Sequence, residues 1–189
     1  MTEKEGSSEL PALFIGRFQP FHRGHLFMTR KILEDFDHLI IGVGSAQYSH
    51  TRDNPFSYEE RSTMIGLALE MEGLDRCRIL PIDDVHNHST WVSFVESVVP
   101  SFGVVFSNDP LTTRLFQEKG YDVMELTLHN REDLSGTEVR ERMASGRDWE
   151  NLVPNAAADY IKDIKGGERV KDLQTSWRGK GQEGDQSDQ

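Results

Sequence analysis

Apolar residues along this chain come in short runs that alternate with stretches of helical spacing, and that alternation predicts the architecture. Leu10–Ile15 (LPALFI), His38–Val43 (HLIIGV), Arg78–Ile82 (RILPI), Gly103–Phe106 (GVVF) and Asp122–Leu126 read as five buried strands. Leu26, Phe27, Ile32 and Leu33 recur at helical spacing between Gly24 and about Phe36, and Ser57–Met71 opens on capping-box spacing between Ser57 and Glu60. Trp91, Phe94, Val95 and Val98 follow the i, i+3, i+4, i+7 rule until Pro100 stops them. Leu111–Glu118, Gly136–Ala144 and Pro154–Ile164 complete the helical set. Strands alternating with helices predict an α/β fold: a doubly wound parallel sheet in a single domain with a short helical C-terminal part. Residues 1–10 are expected to be a flexible N-terminus, 11–165 the domain, and 166–189 a polar, disordered tail.

Composition narrows the function. A net charge of −11 argues against a general nucleic-acid binder, which needs a basic face, but leaves room for small anions where cations gather locally. No run is long and apolar enough to span a membrane, and the first residues lack the apolar core of a secretory signal. The single cysteine, Cys77, fits a reducing cytoplasm and reads as a small residue beside a strand.

The loop after the first strand carries the chemistry: Gly16-Arg17-Phe18-Gln19-Pro20-Phe21-His22-Arg23-Gly24-His25. In doubly wound sheets, ligands gather at the carboxyl ends of the strands, where this loop falls. Gly16 and Gly24 allow a bulky anion close to the backbone, and Pro20 stiffens the turn. His22 and His25 can address one point before a helix start whose free N–H groups favour negative charge. Arg17 and Arg23 add permanent cations. This set suits a triphosphate; a histidine pair at this spacing could also bind a metal, or simply pack. Later, Ser135-Gly136-Thr137-Glu138-Val139-Arg140 opens another helix, with Ser135 or Thr137 as the cap and Arg140 within reach of the same phosphates.

GRFQPFHRGH resembles the GxFxPxHxGH signature of the HxGH nucleotidyltransferases, matching it at Gly16, Phe18, Pro20, His22, Gly24 and His25. SGTEVR is similar to that family's SSTxxR element, with Gly136 in place of the more usual serine. GVGSAQ (containing Ser45), Ser49-His50, the NPF of 54–56, Glu60-Arg61, Trp91-Val92, Pro110-Leu111 and SGTEVRERM together resemble archaeal-type nicotinamide-nucleotide adenylyltransferase over residues 12–165. The resemblance implies a Rossmann-like nucleotidyltransferase fold and formation of NAD and pyrophosphate from nicotinamide mononucleotide (NMN) and ATP. It also implies Mg²⁺ carried on the ATP phosphates and a homo-oligomer, possibly a hexamer.

The residue roles follow from the same resemblance. His22, His25, Arg17 and Arg140 would stabilise the reacting phosphates, and Gly16, Phe18, Gln19, Gly24, Ser45, Ser135, Gly136 and Thr137 would line the nucleotide site. Trp91 would stack on the nicotinamide ring unless it is a core side chain. Arg52 would hold the acceptor phosphate unless it is a surface arginine. Two positions depart from related sequences: His88 and Asp109 stand where asparagine is common. His86 and His88 could suggest a metal site, or a solvated loop. The alternatives are another acceptor (phosphopantetheine, FMN or a cytidylyl-transfer substrate), a synthetase fragment of HIGH type, and a non-catalytic nucleotide sensor.

Overall fold

The computed structural model describes residues 10–85, 87–125 and 134–182, with side chains through 176. Strands β1 (Ala12–Gly16), β2 (Leu39–Val43), β3 (Cys77–Pro81), β4 (Val104–Phe106) and β5 (Asp122–Met124) form one parallel sheet in the order β3-β2-β1-β4-β5. Register is set by the apolar runs, with Ala12 beside Leu39, Gly16 beside Val43 and Leu13 beside Val105. Helices α1 (Arg23–Asp35), α2 (Tyr58–Met71), α3 (His88–Val98), α4 (Pro110–Glu118), α5 (Gly136–Ser145), α6 (Asn155–Asp163) and α7 (Gly166–Gln182) accompany it, with one 3-10 turn at Glu150–Leu152.

Side-chain alternation along the strands divides the core in two. Phe14 and Ile41 join one face with α1, α2, α5, α6 and α7, while Leu13, Ile15 and Ile40 join the other with α3 and α4. The sheet is therefore doubly wound, as the strand–helix alternation predicts. Strand order reverses between β1 and β4, so the loops leaving those strands part and open a crevice there. Ser57 caps α2 as expected: its Oγ accepts the Glu60 N–H at 3.3 Å, and its own N–H donates to Glu60 Oε2 at 2.9 Å.

Several boundaries differ from the sequence reading. Strand β3 starts and ends one residue earlier than expected, at Cys77 and Pro81, and proline is tolerated there because it is the last residue of an edge strand. Helix α3 begins at His88, ahead of Trp91, because the Asn87 side chain caps it by accepting the Ser89 N–H at 3.1 Å. The end of the expected fifth strand, Leu126, lies outside the described residues, as do 1–9 and 183–189.

The expected tail is corrected over 166–182, which form helix α7. Val170 is buried at 1% exposure, and Arg169 makes a two-pronged ion pair with Glu60 at 2.6 and 2.8 Å. Composition hid this helix because few apolar residues anchor it; the pairing of its own Arg169 with Glu60 of α2 supplies the rest. Cys77 is half-buried in β3, and burial pushes its thiol up to about 11, which makes it a weak nucleophile.

Candidate active site

The loop between β1 and α1 folds onto itself through its aromatic residues. Phe18 adopts a left-handed backbone (φ 51°), which turns its ring back over Gly16; a Cβ there would meet the ring at 3.0 Å. Phe18 then meets the His25 ring edge-on at 4.8 Å between centroids, and Phe21 stacks on it at 5.5 Å. His22 and His25 stack on each other at 3.5 Å and 20°.

The His22 backbone N–H donates to His25 Nδ1 at 3.2 Å. A nitrogen that accepts cannot carry a proton, so His25 is the neutral tautomer with its proton on Nε2. Burial agrees. Desolvation takes the His22 pKa down to about 3, and desolvation followed by His22 holds His25 well below the usual range. The imidazoles enter the site as uncharged donors, and the positive charge comes from arginine.

Helix α5 begins beside this loop. Ser135 Oγ accepts the Glu138 N–H at 3.1 Å, which leaves the Gly136 and Thr137 N–H groups without intrahelical partners. Arg140 is buried, and its Nη1 donates to the Gln19 carbonyl at 2.7 Å. A cavity of about 770 Å³ has Arg17, Arg52, Thr137 and Arg140 in its wall. The guanidiniums crowd one another: desolvation first, then Arg17, lowers the Arg140 pKa. Such a cluster favours an anion between its members. His25 and Arg140 thus flank one loop, His25 stacked on Phe18 and Phe21 and Arg140 bonded to Gln19. Among the described residues no three His, Cys, Asp or Glu side chains gather as a metal cage.

A Cβ on Gly136 would lie 2.9 Å from the Gln19 carbonyl oxygen and 3.3 Å from Arg140 Nη1. Glycine is what lets α5 approach the loop. Gly136→Ala is expected to push the two apart, cost about 1–3 kcal/mol of stability and raise the KM for ATP several-fold. Steady-state kinetics with varied ATP check this, and an unchanged KM would contradict it.

Other singled-out residues serve as supports. Gln19 gives both ends of its amide to Phe56, Nε2 to the carbonyl at 2.9 Å and Oε1 from the N–H at 3.0 Å. Phe18 is 2% exposed. Both side chains are therefore spent on holding the loop, which leaves their backbone groups as what they can offer a nucleotide. Ser45 Oγ donates to Asp84 Oδ2 at 2.7 Å. Arg23, expected as a second cation, spends its guanidinium on Asn151 and Asn155 at 2.8 and 2.9 Å. Gly24 is buried in the first turn of α1. Trp91 is 9% exposed, packs edge-on against Phe116 and donates its indole N–H to the Asp83 carbonyl at 3.3 Å.

The two departures from related sequences sit at helix starts. His88 is exposed at the head of α3, and Asp109 caps α4, accepting the Thr112 N–H at 2.8 Å, a job asparagine does equally well. His86 lies outside the described residues.

Arg61 carries a role that the sequence reading did not assign. It is fully buried, and its guanidinium donates to the carbonyls of Arg17 (2.8 Å), Gly44 (2.8 Å), Ser45 (3.0 Å) and Ser57 (3.2 Å). One side chain thus ties the loops after β1 and β2 to the start of α2. Its signal was visible: Arg61, Met64, Ile65, Ala68 and Leu69 form one helical stripe, so a charge opens a core face.

The neutral imidazoles make a pH prediction. Unfolded histidine takes up a proton near pH 6.5, whereas folded His22 resists protonation down to about 3. The unfolded state therefore binds more protons below 6.5, and stability falls as the pH drops, by up to about 1.4 kcal/mol per pH unit for each such histidine. Urea midpoints between pH 6.5 and 5 should decline in the wild type and decline less steeply in His22→Ala. Equal slopes would contradict the neutral assignment.

Residues 13–142 match the cytidylyltransferase-like family. The chain is 46% identical to nicotinamide-nucleotide adenylyltransferase of Thermoplasma acidophilum over 91% of this chain and 96% of that one. It is 47% identical to the protein of the same name from Picrophilus torridus (87% and 98%) and 46% identical to that of Pyrococcus horikoshii (87% and 89%). A solved bifunctional NMN adenylyltransferase/ADP ribose pyrophosphatase from Francisella tularensis, complexed with AMP and a Mn ion, shares the fold, with a TM-score of 0.72 at 24% identity. The alignment covers 88% of this chain and about half, 53%, of that longer one. A stacked imidazole pair, an arginine-walled cavity and close similarity along nearly the whole length converge on one statement: the chain belongs to the nicotinamide-nucleotide adenylyltransferases.

Proposed function

We infer that this enzyme joins NMN to the AMP moiety of ATP, giving NAD and pyrophosphate. The observation that carries the reading is the approach of α1 and α5 to one loop, where Arg140 binds the Gln19 carbonyl beside the Arg17 cation. No protein nucleophile is required. The acceptor's 5′-phosphate oxygen attacks the α-phosphorus of ATP in line, and the bond to the β-phosphate oxygen breaks. Charge spreads over the phosphoryl oxygens as this happens, so fixed donors and cations lower the barrier.

Arg17, Arg140 and the free N–H groups at the start of α5 take the departing pyrophosphate. His25 offers a neutral N–H, held in place by its phenylalanine neighbours and the His22 backbone. Arg52 is assigned to the acceptor phosphate. Trp91 is assigned to the nicotinamide ring, a role that needs part of its packed surface to open. Mg²⁺ enters as part of the substrate, MgATP, since such ions are commonly held by substrate phosphates.

The test is incubation with ATP, Mg²⁺ and NMN, with mass detection of NAD and measurement of pyrophosphate. Parallel reactions contain phosphopantetheine, FMN or a cytidylyl pair. NAD in the first reaction alone supports the reading. Product from another acceptor only would reassign the substrate, and ATP binding without any dinucleotide would make the chain a sensor. A homo-oligomer in the cytoplasm completes the proposal; light scattering tests the hexamer as a mass near six times 21.6 kDa. No helix among the described residues is long and apolar enough to cross a membrane.

A further inference from the structure

The arginine-walled cavity continues past the triphosphate clamp. Its lining follows α5 from Thr137 to Ser145, about 12 Å of helix at 1.5 Å per residue. Arg147, after α5, and Gln174 and Thr175 of α7 complete the far wall. These three lie beyond the stretch 13–142 that matches the cytidylyltransferase-like family. A triphosphate whose β- and γ-groups sit at the start of α5 leaves that far end unfilled.

The chemistry there suits an anion and not a base. It offers a guanidinium, hydroxyls from Ser145 and Thr175 and the Gln174 amide, with Ala144 as its apolar member. Across the whole cavity Arg17, Arg52, Arg140 and Arg147 stand against the carboxylates of Asp53 and Glu141. Arg147 is also weakly neutralised. Its Nη1 lies 3.5 Å from Glu138 Oε1, an oxygen that Arg142 Nε already holds at 2.7 Å, so one carboxylate serves two arginines. Arg147 Nε donates to Ser145 Oγ at 3.0 Å, which fixes the stem of the side chain at the wall. Arg140, 8% exposed, keeps a buried Nε with no partner.

We propose that this far end is a subsite for phosphate groups beyond the third of a nucleoside polyphosphate. The chain then holds inorganic tripolyphosphate more tightly than pyrophosphate and uses adenosine 5′-tetraphosphate as a donor. The proposal rests on the adenylyl-transfer reading. In the step, the acceptor phosphate oxygen bonds to the α-phosphorus and the bond from that phosphorus to the bridging oxygen breaks. Tripolyphosphate leaves with the electron pair, and no further reactant is needed.

Calorimetry with pyrophosphate and with tripolyphosphate, at equal Mg²⁺, tests binding in the full chain without relying on turnover. One more charge-assisted contact is expected to make tripolyphosphate bind about tenfold tighter in the wild type. Arg147→Gln should erase that preference while leaving pyrophosphate binding and NAD synthesis from ATP unchanged. Adenosine 5′-tetraphosphate with NMN should yield NAD and tripolyphosphate, and the Arg147→Gln change should raise the KM for this donor alone. Equal affinity for the two anions in the wild type, or an equal loss of both in the variant, overturns the subsite. Failure to make NAD from ATP would strike the adenylyl-transfer reading itself, a result separate from the anion preference.

Discussion

His25→Ala should lower turnover by ~10²–10³ while the protein stays folded, because it removes one preorganised donor from a site that works by stabilising charge. The ring is fixed on every side available to it, by Phe14, Phe18, Phe21 and the stacked His22. Its Nδ1 is committed to the His22 N–H, so Nε2–H is what remains for phosphate. His25→Gln places an amide nitrogen near the Nε2 position and should recover part of the loss. Because the donor is neutral, wild-type kcat/KM should show no acid limb near pH 6.5 that vanishes with His25. Near-normal kcat in a correctly folded His25→Ala would defeat the assignment, and circular dichroism with a melting curve distinguishes that from a folding defect.

Arg61→Met is expected to be the most destabilising single change near the site. Methionine keeps much of the stem's bulk and removes every donor, leaving the Arg17, Gly44, Ser45 and Ser57 carbonyls without their shared partner. Unpaired buried groups of this kind cost about 1–3 kcal/mol each, and losing one charged partner from a buried network costs about 3–5 kcal/mol in all. For a chain of this size that is a fall in Tm of roughly 10 °C. The guanidinium stays charged at neutral pH although desolvation lowers its pKa to about 10. Arg61→Lys offers a single ammonium in place of a planar fork and should recover only part of the stability. Since the Arg17 and Ser45 carbonyls are among those released, the KM for ATP should rise as well. Wild-type melting and KM in Arg61→Met would show that the four bonds carry no weight.

Most strands and helices were legible because burial on both faces writes continuous apolar runs, and half-buried helices write a 3.6-residue stripe. The motif residues were legible for a related reason: a phosphate-binding turn needs glycine, proline, histidine and arginine close together in sequence. Arg140 and Gln19 are 121 residues apart, yet both sit in recognisable local patterns, so their meeting could be anticipated. Helix α7 was hidden because it is held by Val170 and by the Arg169–Glu60 pair, whose partners are 109 residues apart.

By itself, then, the sequence determined the alternating architecture and the two phosphate-facing turns, since both depend on neighbours along the chain. Only the tertiary structure decided that the histidines are neutral, that the side chains of Gln19, Phe18 and Arg23 are spent on packing and on backbone and amide partners, and that Arg61 holds the site together. It also decided that Arg147 and α7 extend the cavity. Those outcomes depend on desolvation and on carbonyls brought together from distant segments, and neither quantity exists until the chain has closed on itself.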